Sequence, residues 1–387
     1  MGTITGNWGF PTAMRFGPGR IAELPSVCRE LGISRPILIT DEGLRDLPMV
    51  RDAVASLDDG GLPCALFTDV RGNPVHANVV SGIEAYHAHK ADGVIAFGGG
   101  SGMDVAKAVA LMIGQDRPIW DFEDIGDYWK RANAEAIPPI VAVPTTSGTG
   151  SEVGRASVIT NEETHVKKII FHPRMLPSVV ISDPELTVGL PPSITAGTGM
   201  DAFIHSFEAY CAPGYHPMAE GIALEGMRLV ANALPRAFDD GKDIEARADM
   251  LAAASMGATA FQKGLGGIHA LSHSVGVLYN THHGRTNAVV MPYIMRRNEQ
   301  AIAGKMELLG RVLGLPNPTF AGVLDWTMDF RERVGIENTL AELGVPGDQA
   351  ELMGTMAEVD PTAGGNPIRL TAAEYTEAFG KALEGTV

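Results

Sequence analysis

Five of the eleven histidines in this sequence fall in two short windows, one of which also carries a well-placed carboxylate. The first window reads Gly199-Met200-Asp201-Ala202-Phe203-Ile204-His205-Ser206-Phe207-Glu208. Asp201 and His205 stand four apart, and in a helix that spacing puts both side chains on one face about a turn apart. The second window reads Gly267-Ile268-His269-Ala270-Leu271-Ser272-His273-Ser274 and runs on to His282-His283-Gly284. His269 and His273 repeat the four-residue step, and His283 lies beyond Asn280 and Thr281, past the expected helix end. Neighbouring side chains diverge, so only one of His282 and His283 is expected to act as a ligand. A single Asp-x-x-x-His pair is a common helix-surface contact; two such windows in a chain without ligand cysteines point to a metal. One Asp with three His suits Fe(II) or Zn(II), the carboxylate making the set harder than a thiolate site. His76, His87, His89, His165, His172 and His216 have no partner pattern and read as solvated or capping.

A second kind of chemistry is written in glycine. The segment Ala96-Phe97-Gly98-Gly99-Gly100-Ser101-Gly102-Met103-Asp104-Val105-Ala106-Lys107 reads strand, glycine turn, helix. Backbone N–H groups at a helix start bind anions, and residues without a Cβ let a pyrophosphate come close. A plain tight turn uses the same glycines, and the cluster by itself does not separate the two. At least two strands precede it, so it is not the G-x-G-x-x-G fingerprint of a first βα unit. Asp41 ends a strand where a carboxylate could meet an adenosine ribose 2′-hydroxyl; that favours NAD over NADP, whose 2′-phosphate would meet like charge. From position alone Asp41 reads first as a helix cap. The run Pro144-Thr145-Thr146-Ser147-Gly148-Thr149-Gly150-Ser151-Glu152 also follows a strand end, and serves either as a ligand loop or as a capping loop.

The elements that must position these residues divide the chain. Short apolar runs at 36–40, 64–68, 93–97 and 139–143 predict strands, with further β-like pieces at 156–160 and 178–182. Val75, Val79, Ile83 and Tyr86 predict a helix between two of them, with Pro74 in its first turn, and Val105, Val109 and Met112 predict another. Strand–helix alternation implies a parallel sheet covered on both faces. After Pro191-Pro192 the strand-like runs all but vanish, and helices are predicted at 193–211, 217–238, 245–263 and 267–279. The expected organisation is an α/β dinucleotide-binding domain over 1–190 and an all-helical metal-binding and substrate domain over 191–387.

Composition narrows the class. The 387 residues are 45% hydrophobic and 20% charged, ordinary for a globular chain of two domains. Thirty Lys and Arg against 46 Asp and Glu leave a net charge of −16, which repels nucleic acid over most of the surface. Three widely spaced cysteines form no disulfide framework and fit a reducing cytoplasm. The opening residues show neither the basic nor the apolar region of a secretory leader, and no uninterrupted apolar run is long enough for a membrane span. Glycine stands out at 46 residues, in clusters at 98–102, 148–150, 264–267 and 364–365, the last with no role legible in the sequence.

Together these segments resemble the iron-containing (group III) alcohol dehydrogenase family of the dehydroquinate synthase-like superfamily. The resemblance rests on Gly-Gly-Gly-Ser-x-x-Asp-x-Ala-Lys at 98–107, Pro-Thr-Thr-x-Gly-Thr-x-x-Glu at 144–152 and Gly-x-Asp-Ala-x-x-His-x-x-Glu at 199–208. His-x-x-x-His and His-Gly-x-x-Asn-Ala at 269–288 complete it, so it spans essentially the whole chain. It implies an N-terminal Rossmann-like α/β domain, a helical C-terminal domain and metal ligation by Asp201, His205, His269 and His283. The implied cofactor contacts fall on Asp41, Asn73, Gly99, Gly100, Ser101, Asp104, Thr145, Thr146, Thr149 and Lys167. The position of His273 lies near the nicotinamide, which makes it the candidate for a proton relay. The implied activity is hydride transfer between NAD and a small alcohol, aldehyde or ketone at Fe2+, with Zn2+ as the alternative. The setting expected from cysteine usage is the cytoplasm, and the expected assembly is a homo-oligomer with a dimer as default. Two other functions use the same features. A lyase or cyclase of the dehydroquinate synthase type needs a basic pocket around the metal, and 199–208 and 267–284 contain no Lys or Arg. A non-catalytic nucleotide or metal sensor would bind cofactor without turnover.

Overall fold

A computed structural model describes residue 10 and residues 12–164 and 166–387; the opening residues read for a leader and His165 lie outside the described residues. Residue contacts group the chain into two units, Phe10–Thr146 with Gly150–Val188, and Gly189–Val387 with the short stretch Ser147–Thr149.

The α/β unit is built on a six-stranded, wholly parallel sheet. Its strands are β1 (Ala13–Phe16), β2 (Pro36–Ile39), β3 (Ala65–Phe67), β4 (Gly93–Gly98), β5 (Ile140–Pro144) and β8 (Val179–Ser182), in the order β1-β8-β5-β4-β2-β3. Strands β6 (Ala156–Asn161) and β7 (Val166–Phe171) form a separate antiparallel pair. Helices α1 (Leu24–Glu30), α2 (Pro48–Asp59), α3 (His76–His89) and α4 (Gly100–Met112) complete the unit. The central strands are buried on both faces, as βα alternation demands. Their side chains alternate between two cores: Ile37, Ile39, Val94 and Ala96 join one, Leu38, Ile95 and Phe97 the other. Two strands escaped the sequence reading. β1 is an edge strand with no fully buried residue, and in β7 Lys167 and Lys168 follow Val166 and leave only Ile169, Ile170 and Phe171 as an apolar run, too short to read as a strand. Pro74 precedes α3 instead of entering its first turn; Val75 is the cap.

The helical unit comprises α5 (Pro192–Cys211), α6 (Pro217–Asp239), α7 (Ile244–Ala260), α8 (Gly267–Tyr279), α9 (His283–Val312), α10 (Phe320–Arg333), α11 (Ala350–Glu358) and α12 (Ala372–Glu384). α5 is its axis. From Thr195 to Cys211 nearly every residue is buried, because α6, α7 and α9 pack around it. Glycine makes those crossings tight: a Cβ on Gly226 of α6 would lie 2.7 Å from Ser206 Oγ, and one on Gly257 of α7 would lie 3.1 Å from the Ala202 carbonyl. Among the described residues no helix is long and apolar enough to cross a membrane.

Candidate metal centre and cofactor edge

In the helical unit, α5, α8 and the start of α9 bring four of the sequence-derived residues to one point. Asp201 and His205 share a face of α5; His269 opens α8 and His283 opens α9. The Nε2 atoms of His205, His269 and His283 lie 3.8, 3.7 and 3.6 Å from Asp201 Oδ1. Ligand atoms of Asp201, His205 and His269 all fall within 4.8 Å of one another. Tetrahedral bonds of about 2.1 Å require ligand atoms about 3.4 Å apart, so these donors need only small movements to close on one cation. Helix geometry separates the two histidines at 282–283. His282 is the N-cap of α9, its Nδ1 accepting from the Arg285 amide, while His283 turns to Asp201. Asn280, in the left-handed region at φ 51°, ends α8 and redirects the chain between the two helices.

Among the described residues, no lysine or arginine pairs with the carboxylates at this point. Asp201 and Glu208 are both almost fully buried, and their ion-pair partners among the described residues are imidazoles. Burial alone would raise the Asp201 carboxyl, but His205, His283 and His269 hold it far below the usual range. Burial pushes His205 down to about 4, against the pull of Asp201. His269 goes the other way: burial disfavours its charged form, yet Asp201 and Glu208 on its two nitrogens carry it up to about 9. Two buried carboxylates therefore demand a cation, and three nitrogens and one oxygen are the donors a divalent transition metal takes. The residues fit the group.

Two partners of these candidate ligands and one of His273 were not singled out from the sequence. Glu208 accepts from His269 Nδ1 at 2.7 Å. It stands seven residues after Asp201, on the same helix face, so the stripe Asp201-His205-Glu208 was there to be read. Asn287 stands four after His283; its Nδ2 lies 2.8 Å from Asp201 Oδ1 and 3.1 and 3.3 Å from Nε2 of His283 and His269. Asp360 meets His273 Nδ1 at 3.1 Å across 87 residues, a partnership with no sequence signal. His273 itself lies against the cluster, its ring stacked on His283 at 5.2 Å and edge-on to His269 at 5.8 Å. His172 and His216 cap helices through Nδ1, and both are buried.

In the α/β unit, the order of strands reverses between β2 and β4, the switch point where open parallel sheets take ligands at their C-terminal edge. Asp41 follows β2 and the glycine turn follows β4. Gly98 adopts φ 140°, and a Cβ there would lie 3.4 Å from Asp41 Oδ2 and Thr40 Oγ1. A Cβ on Gly102 would lie 3.3 Å from the Phe97 carbonyl, so glycine there eases the close seat of α4 on the end of β4. Gly99 is the N-cap of α4, with Gly100 and Ser101 opening it, so their amides sit at a helix start, the kind of place that attracts anions. The hydroxyls of Thr40 and Thr145 are buried at this edge without a protein partner. Such orphans, beside bare glycine backbone, fit a polar ligand of the dinucleotide kind. Thr146 packs its side chain over Gly99, with Oγ1 3.2 Å from the missing Cβ. Lys167 and Asn73 meet each other at 2.9 Å, Asn73 in the left-handed region at φ 55°. Asp104 is engaged by protein on both oxygens, accepting from Ser151 Oγ at 2.6 Å and the Val158 amide at 2.9 Å. It ties α4 to the β6 region, together with buried Lys107, which donates to the carbonyls of Ser151 and Ala156. Burial raises the Asp41 carboxyl, while the amides of Gly43 and Leu44 facing it work in the opposite sense. Thr149 belongs to the stretch grouped with the helices, where Gly148 packs on Thr198.

Comparison with known proteins agrees with this architecture. A family model described as iron-containing alcohol dehydrogenase matches residues 11–184, and its C-terminal counterpart, described as Fe-containing alcohol dehydrogenase family, C-terminal, matches residues 195–383. The chain is 38% identical over 367 residues to a 4-hydroxybutyrate dehydrogenase of Cupriavidus necator, covering 92% of this chain and 94% of that protein. It superposes on the crystal structure of a 1,3-propanediol oxidoreductase with TM-score 0.93 and 33% identity, covering 98% of this chain and 100% of that one. A sulfoacetaldehyde reductase from Bifidobacterium kashiwanohense, solved in complex with NAD+, gives TM-score 0.89 at 29% identity, covering 98% and 99%. Both halves of the sequence, the fold and the buried donor set thus converge, and the chain belongs to the iron-containing alcohol dehydrogenase family.

Proposed function

We propose that this oxidoreductase transfers a hydride between NAD(H) and a small alcohol, aldehyde or ketone at a divalent metal held by Asp201, His205, His269 and His283. The observation that carries the reading is the convergence of three imidazole Nε2 atoms on one buried carboxylate oxygen. When bound, the metal lowers the pKa of a hydroxyl or polarises a carbonyl, and the nicotinamide takes or gives the hydride. Fe2+ is the first expectation, with Zn2+ as the alternative.

The remaining work falls to the chain. Glu208 and Ser272 engage the Nδ1 atoms of His269 and His283, which leaves each Nε2 facing Asp201. Phe261 lies edge-on to His205 at 5.2 Å and packs against that side of the cluster. His273, held through Nδ1 by Asp360, keeps Nε2 to take up or release the proton that accompanies hydride transfer. For the cofactor, Gly99, Gly100 and Ser101 would receive the pyrophosphate and Asp41 the adenosine ribose. Asn73, Lys167, Thr145, Thr146 and Thr149 would supply further contacts, with Asp104 bracing α4 behind them. The substrate class is that of small hydroxylated molecules, in keeping with the 4-hydroxybutyrate and 1,3-propanediol in the relatives' names. The proposal includes a cytoplasmic homodimer, which light scattering of the purified protein tests.

Anaerobic purification, metal analysis and an alcohol and aldehyde panel with NAD and NADP, after Fe(II) or Zn(II) loading, form the direct test. NADH formation is expected with at least one short alcohol or diol; no turnover on any alcohol, aldehyde or ketone would overturn the reading. His269→Ala and His283→Ala should each lose metal and activity together, and a variant that keeps both removes that residue from the ligand set. Asp41→Gly should lower the preference for NAD over NADP; an unchanged ratio would make Asp41 a cap only.

A further inference from the structure

The Glu208 carboxylate is buried, yet it faces three donors from one short stretch of the chain. Oε2 accepts from the Gly266 amide at 2.9 Å and from His269 Nδ1 at 2.7 Å, and Oε1 accepts from the Ile268 amide at 2.7 Å. The intervening amide, Gly267, donates to Asn366 Oδ1 at 3.1 Å. The first turn of α8 is therefore held from both sides, and glycine is what permits it. A Cβ on Gly266 would lie 3.0 Å from Glu208 Oε1 and 3.1 Å from Asn366 Oδ1. The amides at a helix start carry the positive end of the backbone dipoles, so an anion there is stabilised on two counts.

From this geometry we propose that Glu208 is a positioning residue of the metal centre, fixing both the place of α8 and the tautomer of His269. Because its carboxylate can only accept, the hydrogen on Nδ1 is fixed and the lone pair of the neutral ring is on Nε2, the atom that faces Asp201. A glutamine at 208 offers one acceptor and one amino group to the same three donors. The mismatch is relieved when His269 moves its proton from Nδ1 to Nε2, which removes the nitrogen from the ligand set. Outer partners of this kind typically change metal affinity by about 10–100-fold. The inference rests on the metal reading given above.

The test uses the full chain, freed of metal by chelation and titrated with Co(II) and Zn(II) against a chromophoric chelator. Glu208→Gln is expected to raise the Kd for both ions by about 10–100-fold and to alter the visible absorption of the Co(II) form. Asn366→Ser, which unties Gly267 but leaves the bond to Nδ1, is the control; it should lower the apo melting temperature and shift Kd by less than about threefold. In 15N-histidine NMR of the Zn(II)-loaded wild type, His269 should bind through Nε2 and show a slowly exchanging Nδ1 proton. That measurement decides the matter even if Glu208→Gln does not fold. Ligation through Nδ1, an unchanged Kd in Glu208→Gln, or equal affinity losses in the two variants would overturn the inference. A wild type that binds neither ion overturns the metal reading itself, whereas a wild type that binds with Glu208→Gln its equal overturns the Glu208 role alone.

Discussion

Asn287 reaches three of the four proposed ligand side chains through a single amide nitrogen, closest to Asp201 Oδ1 at 2.8 Å. A neutral donor in that place tolerates both the carboxylate and the imidazole lone pairs. Asn287→Asp would set a second carboxylate beside Asp201 in a buried site, where like charges repel strongly. The apo variant is expected to lose about 1–3 kcal/mol of stability. A divalent ion relieves that repulsion, so the rise in melting temperature on adding Zn(II) should exceed that of the wild type. Equal shifts in the two proteins would show that Asn287 does not face the ion. Histidine identity matters in the same local way: His282 and His283 are neighbours of the same type, and only the helix start decides that one caps and the other faces Asp201.

At the scale of elements, the centre is a meeting of three helices, and the clustered glycines mark where they must come close. The pair Gly364-Gly365, unassigned in sequence, sits in a short 3-10 turn against the loop that opens α8. A Cβ on Gly365 would lie only 1.9 Å from the Leu265 carbonyl. Gly365→Ala should therefore push that loop away from its packing and cost about 1–3 kcal/mol. Urea unfolding is expected to show a lower midpoint at unchanged m, with weaker Zn(II) binding because His269 follows the same loop. A midpoint equal to the wild type would mean that the loop yields freely. The same turn connects to Asp360 and Thr362, so the segment that backs α8 also supplies the partner of His273.

Across the whole molecule, several buried or half-buried carboxylates are held below their ordinary range. Asp92 is raised by burial but lowered more by the Ser34 hydroxyl and the amides of Ser34 and Arg35. Glu220 is likewise raised by burial and lowered more by Lys263 and Lys305. A carboxyl depressed in the folded state contributes stability above its unfolded pKa of about 4, and that contribution is lost as pH falls through the folded value. The melting temperature is expected to drop steeply below about pH 4, and Asp92→Asn to lower it at about pH 6 while converging on the wild type near pH 3. A constant gap between the two proteins over this range would show that Asp92 does not titrate with unfolding.

The sequence by itself determined most of the strand runs, helices α3 to α8 and the spacing of the candidate donors, because these depend on periods local to the chain. Continuous apolar runs gave β2, β4 and β5; four-residue steps gave the faces of α5 and α8 that carry Asp201, His205 and His269. β1 and β7 were silent because an edge strand and a lysine-bearing hairpin show no apolar period. Glu208 was legible as the i+7 continuation of the α5 face and Asn287 as the i+4 step from His283 on α9, but spacing says nothing about which buried polar residue has partners. Only the tertiary structure decided that three helices aim their nitrogens at one carboxylate, that Asp360 meets His273 across 87 residues, and that Gly365 supports a loop some hundred residues earlier. Those are contacts between residues far apart in sequence, and no local period encodes which distant atoms a packed core brings together.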